Sequence, residues 1–215
     1  MDNARDLYNA HKNETCIIAC NGPSLKDVPL DMLNDHITFG LNKCHLLKGF
    51  RPTYFVCVNP LVLAQLPSEV YQQTYWKFTT RLLNDSHAWT LRSMRTPMFS
   101  YSPLDYVYEG HTVTFVALQL AFYMGFSRVI MVGLDHKYEF AGMPNEQQLL
   151  VGDDPNHFHP DYFNNCLWHT PDLTKSEEAY GMALRAFVDV GRTIVNATPG
   201  TALTVFPCME RPWVA

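Results

Sequence analysis

"TVTFVALQLAFYMGFSRVIMVGLDH", Thr112 to His136, is the stretch on which the fold turns. From Thr112 to Phe126 the residues are apolar nearly all round, with Ala and Leu at the centre and a stop at Gly125. That pattern predicts a buried helix. Arg128 to His136 follows as a short, almost continuous apolar run, the mark of a strand covered on both faces. A buried helix feeding a buried strand with almost no linker is the rhythm of an α/β fold with helices on both sides of a parallel sheet.

Reading outward, "TCIIAC" (Thr15 to Cys20), His36 to Asn42 and Thr53 to Asn59 are expected strands of the same buried kind, and "TIVNAT" (Thr193 to Thr198) is the last. Helices are expected at Asn3 to Lys12 and at Thr174 to Gly191, the second with a Thr or Ser cap and acids in its first turn. Between Leu61 and Asp105 the pattern is weaker, with "YWKFTTRLL" and "MFSY" as strands or edge pieces. Lys137 to Pro171 is rich in Asn, Asp, His, Pro and aromatics and too long for an ordinary connection, so it reads as a lid. The expectation is a Rossmann-like, doubly wound, mostly parallel α/β sheet forming one domain over residues 1–215, with a lid insertion at 137–171.

Composition narrows the function. With 215 residues, 47% of them hydrophobic, the chain can bury a substantial core. A formal charge of −5 and the lack of any basic run argue against a nucleic-acid or anionic-membrane surface. The N-terminus is polar and mixed in charge, unlike a signal or transit peptide, and no apolar run approaches the length of a membrane span, so a soluble cytoplasmic protein is expected. The six cysteines lie mostly in apolar segments without a C-x-x-C pair, so they are expected to be reduced core thiols.

The chemistry-bearing residues gather at strand ends. "CNGPSLKD" turns sharply after its strand: Gly22 allows close backbone approach, Pro23 suits a first helical turn, and Asn21 or Ser24 can cap it. Free N–H groups there suit a phosphate or sugar-nucleotide. Asn21, Asn42, Asn59 and Asn196 each end an expected strand, and the carboxyl ends of parallel strands line the ligand crevice of such sheets. Thr112 and Thr114 open the buried helix, where hydroxyls and N–H groups can hold a second anion. In the lid, His157, His159 and His169 are candidate general bases, with Asp153, Asp154 and Asp161 nearby; a metal site is the rival reading of the H-x-H. The P-loop, the dinucleotide fingerprint, the G-x-S-x-G elbow and D-x-D are all absent.

The series "IIACNGPSLKD", "FGLN", "VCVNP" and Thr112 to His136 resembles the superfamily that includes bacterial family-42 sialyltransferases, motility accessory factor glycosyltransferases and hydroxymethylpterin diphosphokinase MptE-like proteins. The resemblance runs from about Cys16 to Phe206 and includes the G-L-D element ending at Asp135. The sialyltransferases imply a CMP site at Asn21, Gly22, Ser24, Asn42 and Asn59, with Thr112 at the leaving phosphate and a lid histidine as base. Val113 stands where they have serine, and the tyrosine that follows their strand-end aspartate has no clean match near Lys137 and Tyr138. The leading expectation is a glycosyltransferase taking a CMP-type nucleotide-sugar to a glycan or surface-polymer hydroxyl, with no metal or cofactor. The MptE-like alternative implies ATP, magnesium and a hydroxymethylpterin acceptor; a non-enzymatic nucleotide-binding module is a further alternative. A homo-oligomer is compatible with each.

Overall fold

The computed structural model describes residues 4–210. Strands β1 (Thr15–Ala19), β2 (Thr38–Leu41), β3 (Tyr54–Cys57), β4 (Trp76–Thr79) and β5 (Ala88–Thr90) run in order to one edge of a sheet. Two short strands, β6 (Ser93–Met94) and β7 (Val107–Tyr108), pair beside it as a separate ladder. The chain then returns to β1's other side as β8 (Arg128–Val132), and β11 (Thr193–Asn196) completes that edge. The seven strands, in the order β11-β8-β1-β2-β3-β4-β5, are all parallel, so the expected Rossmann-like α/β architecture holds. Strand order reverses between β1 and β8, which makes their carboxyl ends the switch-point crevice.

Two apolar layers follow from strand alternation. Cys16 and Ile18 of β1 face one core with α4 (Val113–Tyr123) and α5 (Leu173–Val188). Ile17 and Ala19 face the other, built with α1 (Leu30–Asn34), α2 (Pro60–Gln65) and α3 (Ser68–Tyr71). α4 is buried throughout from Thr114 to Ala121, which is why its sequence shows no polar face. Each fully buried large side chain, such as Phe115 or Ile17, contributes about 1.5–3 kcal/mol against exposure. α4's one buried amide, Gln119, accepts from the Ser100 and Tyr108 N–H groups and donates to the Tyr108 and Phe115 carbonyls, pinning the β6–β7 ladder to the helix.

Several local expectations need correction. The N-terminal helix shrinks to a 3-10 turn, Ala4–Leu7, while Asn3 lies outside the described residues. Asn9 and Asn13 take left-handed φ values of 54° and 70°, and the Asn9, His11 and Asn13 N–H groups instead cap the Tyr123, Met124 and Gly125 carbonyls at α4's end. "MFSY" is irregular, and the outer strand is Ala88–Thr90. α5 is capped by Asp172, whose carboxylate accepts from the Lys175 N–H, rather than by Thr174 or Ser176. The six cysteines are free thiols, as expected; Cys16, Cys20, Cys44 and Cys57 are buried.

The segment 137–171 has two parts. Its outer part carries an antiparallel hairpin of β9 (Gln147–Leu150) and β10 (Cys166–His169), with Met143, Leu149 and Val151 exposed. Its inner part buries Phe158, Tyr162 and Phe163 in the second core, where Trp168 of β10 joins them. The buried Lys43 ammonium donates to the Tyr162 carbonyl at 2.6 Å and lies 4.6 Å from the Phe163 ring centre, tying this part to the end of β2. Among the described residues, no helix is long and apolar enough to cross a membrane.

Candidate functional site

The turn after β1 packs directly on the turn after β8. The Gly22 N–H donates to the Gly133 carbonyl at 2.9 Å, and a Cβ on Gly22 would lie 2.7 Å from that oxygen and closer still to the Asp135 carboxylate. Glycine is required there by close approach, because its own φ of −68° suits any residue. Pro23–Asp27 forms a 3-10 turn without a side-chain cap, contrary to the expected role of Asn21 or Ser24. The Ser24 N–H lies 3.3 Å from both Asp135 oxygens, and the Ser24 hydroxyl donates to Oδ2 at 2.8 Å. The turn's donors therefore hold Asp135 in place rather than standing open for a phosphate.

Above this junction opens a cleft of about 850 Å³, bordered by Asn21, Gly22, Asn42, Asn59, Thr112, Thr114, Asp135, His157 and His169 among the expected residues. Pro23, Ser24, His159 and Asn196 are not on its walls. Asn196 is fully buried and structural: its carbonyl oxygen accepts from the Thr198 N–H and its amide donates to Thr201. The His159 ring accepts from the Asp161 N–H outside the cleft. A separate groove of about 640 Å³, between Trp89, Arg92 and Tyr106, contains none of the strand-end residues.

The cleft asparagines differ in their partners. The Asn59 carbonyl oxygen caps α2 by accepting from the Leu61 N–H at 2.9 Å. The Asn21 and Asn42 side-chain oxygens are buried with no hydrogen-bond partner among the described residues. A buried acceptor left unpaired costs about 1–3 kcal/mol, so these two are the site's unmet demand. Strain gathers in the same place: Asn42, His111, His136 and Asn145, all bordering the cleft, have φ between 46° and 63°.

The opposite wall is the start of α4. Thr112 caps it, its Oγ1 accepting from the Thr114 N–H and lying 3.3 Å from the Tyr180 hydroxyl of α5. His136 and Glu177 pair across this wall at 2.9 Å. Burial, with the nearby Cys20 and the carboxylates Asp135 and Asp154, pushes the Tyr138 hydroxyl up to about 12, and burial raises the Cys20 thiol to about 12 as well. Both border the cleft in their neutral forms at physiological pH.

The two lid histidines on the cleft are held differently. The His157 Nδ1 lies 2.8 Å from the buried Asp154 carboxylate, and its ring stacks on Tyr162 at 4.0 Å. His169 is exposed on the rim, its Nδ1 3.4 Å from the Asn59 amide nitrogen. No group of three or more His, Cys, Asp or Glu side chains able to hold a metal occurs among the described residues, so the H-x-H does not form a metal centre there. Sequence reading missed His136, Glu177, Tyr180 and His111; the strand-end logic that selected Asp135 reaches His136 one residue later.

Residues 1–140 match the family model described as "MptE-like: 6-hydroxymethylpterin diphosphokinase MptE-like". The match includes both switch-point turns and stops just inside the insertion. No curated protein matches the chain.

Proposed function

The chain belongs to the MptE-like family, and on the chemistry of its cleft we propose that it is a glycosyltransferase that moves a sugar from a CMP-type nucleotide-sugar to a glycan or surface-polymer hydroxyl. The observation that carries the nucleotide is the pair of unpartnered buried oxygens on Asn21 and Asn42. They call for a ligand with hydrogen-bond donors, such as an amino nucleobase or ribose hydroxyls. The cleft's charge favours one phosphate over three: its lysine and arginine complement is Arg95 and Lys137, both exposed, set against Glu109 and Asp135.

In this reading the phosphate rests at the start of α4, where the Thr112 hydroxyl and the positive end of the helix stabilise it as it departs. His169 takes the acceptor proton, because it is the cleft histidine open to a hydroxyl arriving from solvent. The Asn59 amide donates to His169 Nδ1 in the free protein, its own oxygen being held by Leu61. A donor hydroxyl that captures that amide frees the Nδ1 lone pair, which couples base availability to donor binding. His157, pinned by Asp154 and Tyr162, serves as a fixed wall. His169→Ala is expected to lower kcat by about 10²-fold or more with CMP affinity unchanged. Equal loss of both would remove this role.

The family description favours a second reading, diphosphate transfer from ATP to a hydroxymethylpterin. For that reading Asp135, whose oxygens both accept from Ser24, is a cleft carboxylate near which magnesium would be held, with the nucleotide's phosphates supplying the remaining oxygens. Thermal unfolding with CMP, CDP, UDP, GDP and ATP, each with and without magnesium, separates the readings. A ligand at about 100 times its Kd adds roughly 2.7 kcal/mol, a shift of a few degrees. Stabilisation by CMP without metal supports the glycosyltransferase, and stabilisation by ATP only with magnesium supports the diphosphokinase. CMP binding without turnover on any acceptor points to a binding module, and no shift at all removes the nucleotide.

A further inference from the structure

Among the described residues, no lysine or arginine makes a hydrogen bond or ion pair with the start of α4. Arg95 and Lys137 are exposed, and Lys43 is committed to the Tyr162 carbonyl. What borders the cleft beside Thr112, Val113 and Thr114 is His136, whose side chain is only 5% exposed. Its Nε2 pairs with the Glu177 carboxylate at 2.9 Å, while its Nδ1 makes no hydrogen bond with any described residue. The residue is held at a φ of 54°, a left-handed conformation that costs a non-glycine residue about 1–2 kcal/mol and that places the ring between α5 and the cleft. The same turns of α5 supply Glu177 and Tyr180, and the Tyr180 hydroxyl in turn meets Thr112 at 3.3 Å. Helix start, threonine cap, tyrosine and histidine thus form one connected wall.

We infer that the His136–Glu177 pair is the phosphate-recognising device of the cleft: Glu177 accepts from Nε2–H, and a proton on Nδ1 makes the ring an imidazolium that donates to a phosphate oxygen at the start of α4. This inference rests on the nucleotide reading above and goes beyond it by naming the group that meets the charge. A neutral ring would present a lone pair at Nδ1 and repel the phosphate, so the protonated ring is the form that holds the anion. The charged and titratable groups around the ring are Glu177, paired at 2.9 Å, the chain neighbours Asp135 and exposed Lys137, and Tyr180, which burial keeps neutral.

The test is calorimetric binding of cytidine and of the methyl ester of CMP, whose single negative charge does not change near neutral pH, to the full chain at about pH 6 and about pH 8. The variants are His136→Asn, chosen because Asn tolerates the left-handed backbone, and Glu177→Gln. The wild type is expected to bind the ester more tightly than cytidine, with the preference falling as pH rises. His136→Asn is expected to weaken the ester by about tenfold or more, to leave cytidine within about twofold, and to abolish the pH dependence. Glu177→Gln is expected to shift that dependence to lower pH. Ester binding unaffected by His136→Asn, or ester and cytidine lost in equal measure, overturns the inference while leaving the nucleotide reading standing. If the wild type binds neither probe, both fall.

Discussion

Two strand-end asparagines with similar sequence signatures have different physical fates. Asn21 carries a buried oxygen that no described residue satisfies, whereas both ends of the Asn196 amide are used internally. Asn21→Ala is therefore expected to leave stability unchanged or slightly raised while weakening CMP by about tenfold or more; Asn196→Ala should cost about 1–3 kcal/mol with CMP affinity intact. Urea denaturation and calorimetry on the same samples check both, and matching behaviour of the two variants would contradict the distinction. Gly22 is constrained by contact: its Cβ-less face meets the Gly133 carbonyl and the Asp135 carboxylate. Gly22→Ala is expected to cost about 1–3 kcal/mol and to disturb the switch point, as read by the midpoint of urea unfolding.

Two elements show how long-range partners decide local structure. The β6–β7 ladder is too short to stand alone and depends on Gln119, so Gln119→Leu should strand the Ser100 and Tyr108 backbone groups and lower stability by about 2–3 kcal/mol. At the sheet's outer edge, the fully buried Lys77 ammonium donates to Asp85 at 2.6 Å beside β5. Burial alone would raise the Asp85 carboxyl, but the Lys77 hydrogen bond and charge, with the His87 N–H, hold it below its ordinary value. A depressed folded-state value means the stabilisation is present above the unfolded value near 3.9 and is lost as pH falls through the lower folded value. Acid unfolding of Asp85→Asn should be flatter than that of the wild type in this window; identical profiles would remove the pair from the acid response.

For the whole molecule, a fully covered parallel sheet places four of six thiols beyond reagent access. Burial raises Cys16, Cys20, Cys44 and Cys57 above their ordinary values, while Cys208 is exposed and Cys166 half-buried. Thiol labelling of the native chain should modify Cys208 first and Cys166 more slowly, with the other four reacting only on unfolding. Rapid labelling of all six would contradict the two-layer packing.

Strand and helix identity was legible locally because burial on both faces forces continuous apolar runs: β1, β2, β3, β8, β11 and α4 all lie within segments expected from composition and turn residues. The Asn at each strand end marked the sheet's carboxyl edge for the same reason, since a chain leaving a buried strand must turn. Which of those residues border the cleft was a tertiary decision. Ser24 and Asp135 are 111 residues apart, and their contact closes the turn that sequence alone left open to a phosphate. His136 and Glu177 are 41 residues apart on different elements, and the left-handed turn that aims the ring has no apolar period to announce it. Hydrophobic burial writes itself into neighbouring residues, whereas a polar site is assembled by hydrogen bonds between distant ones, so the chain's own order revealed the scaffold and only the packed sheet selected the site.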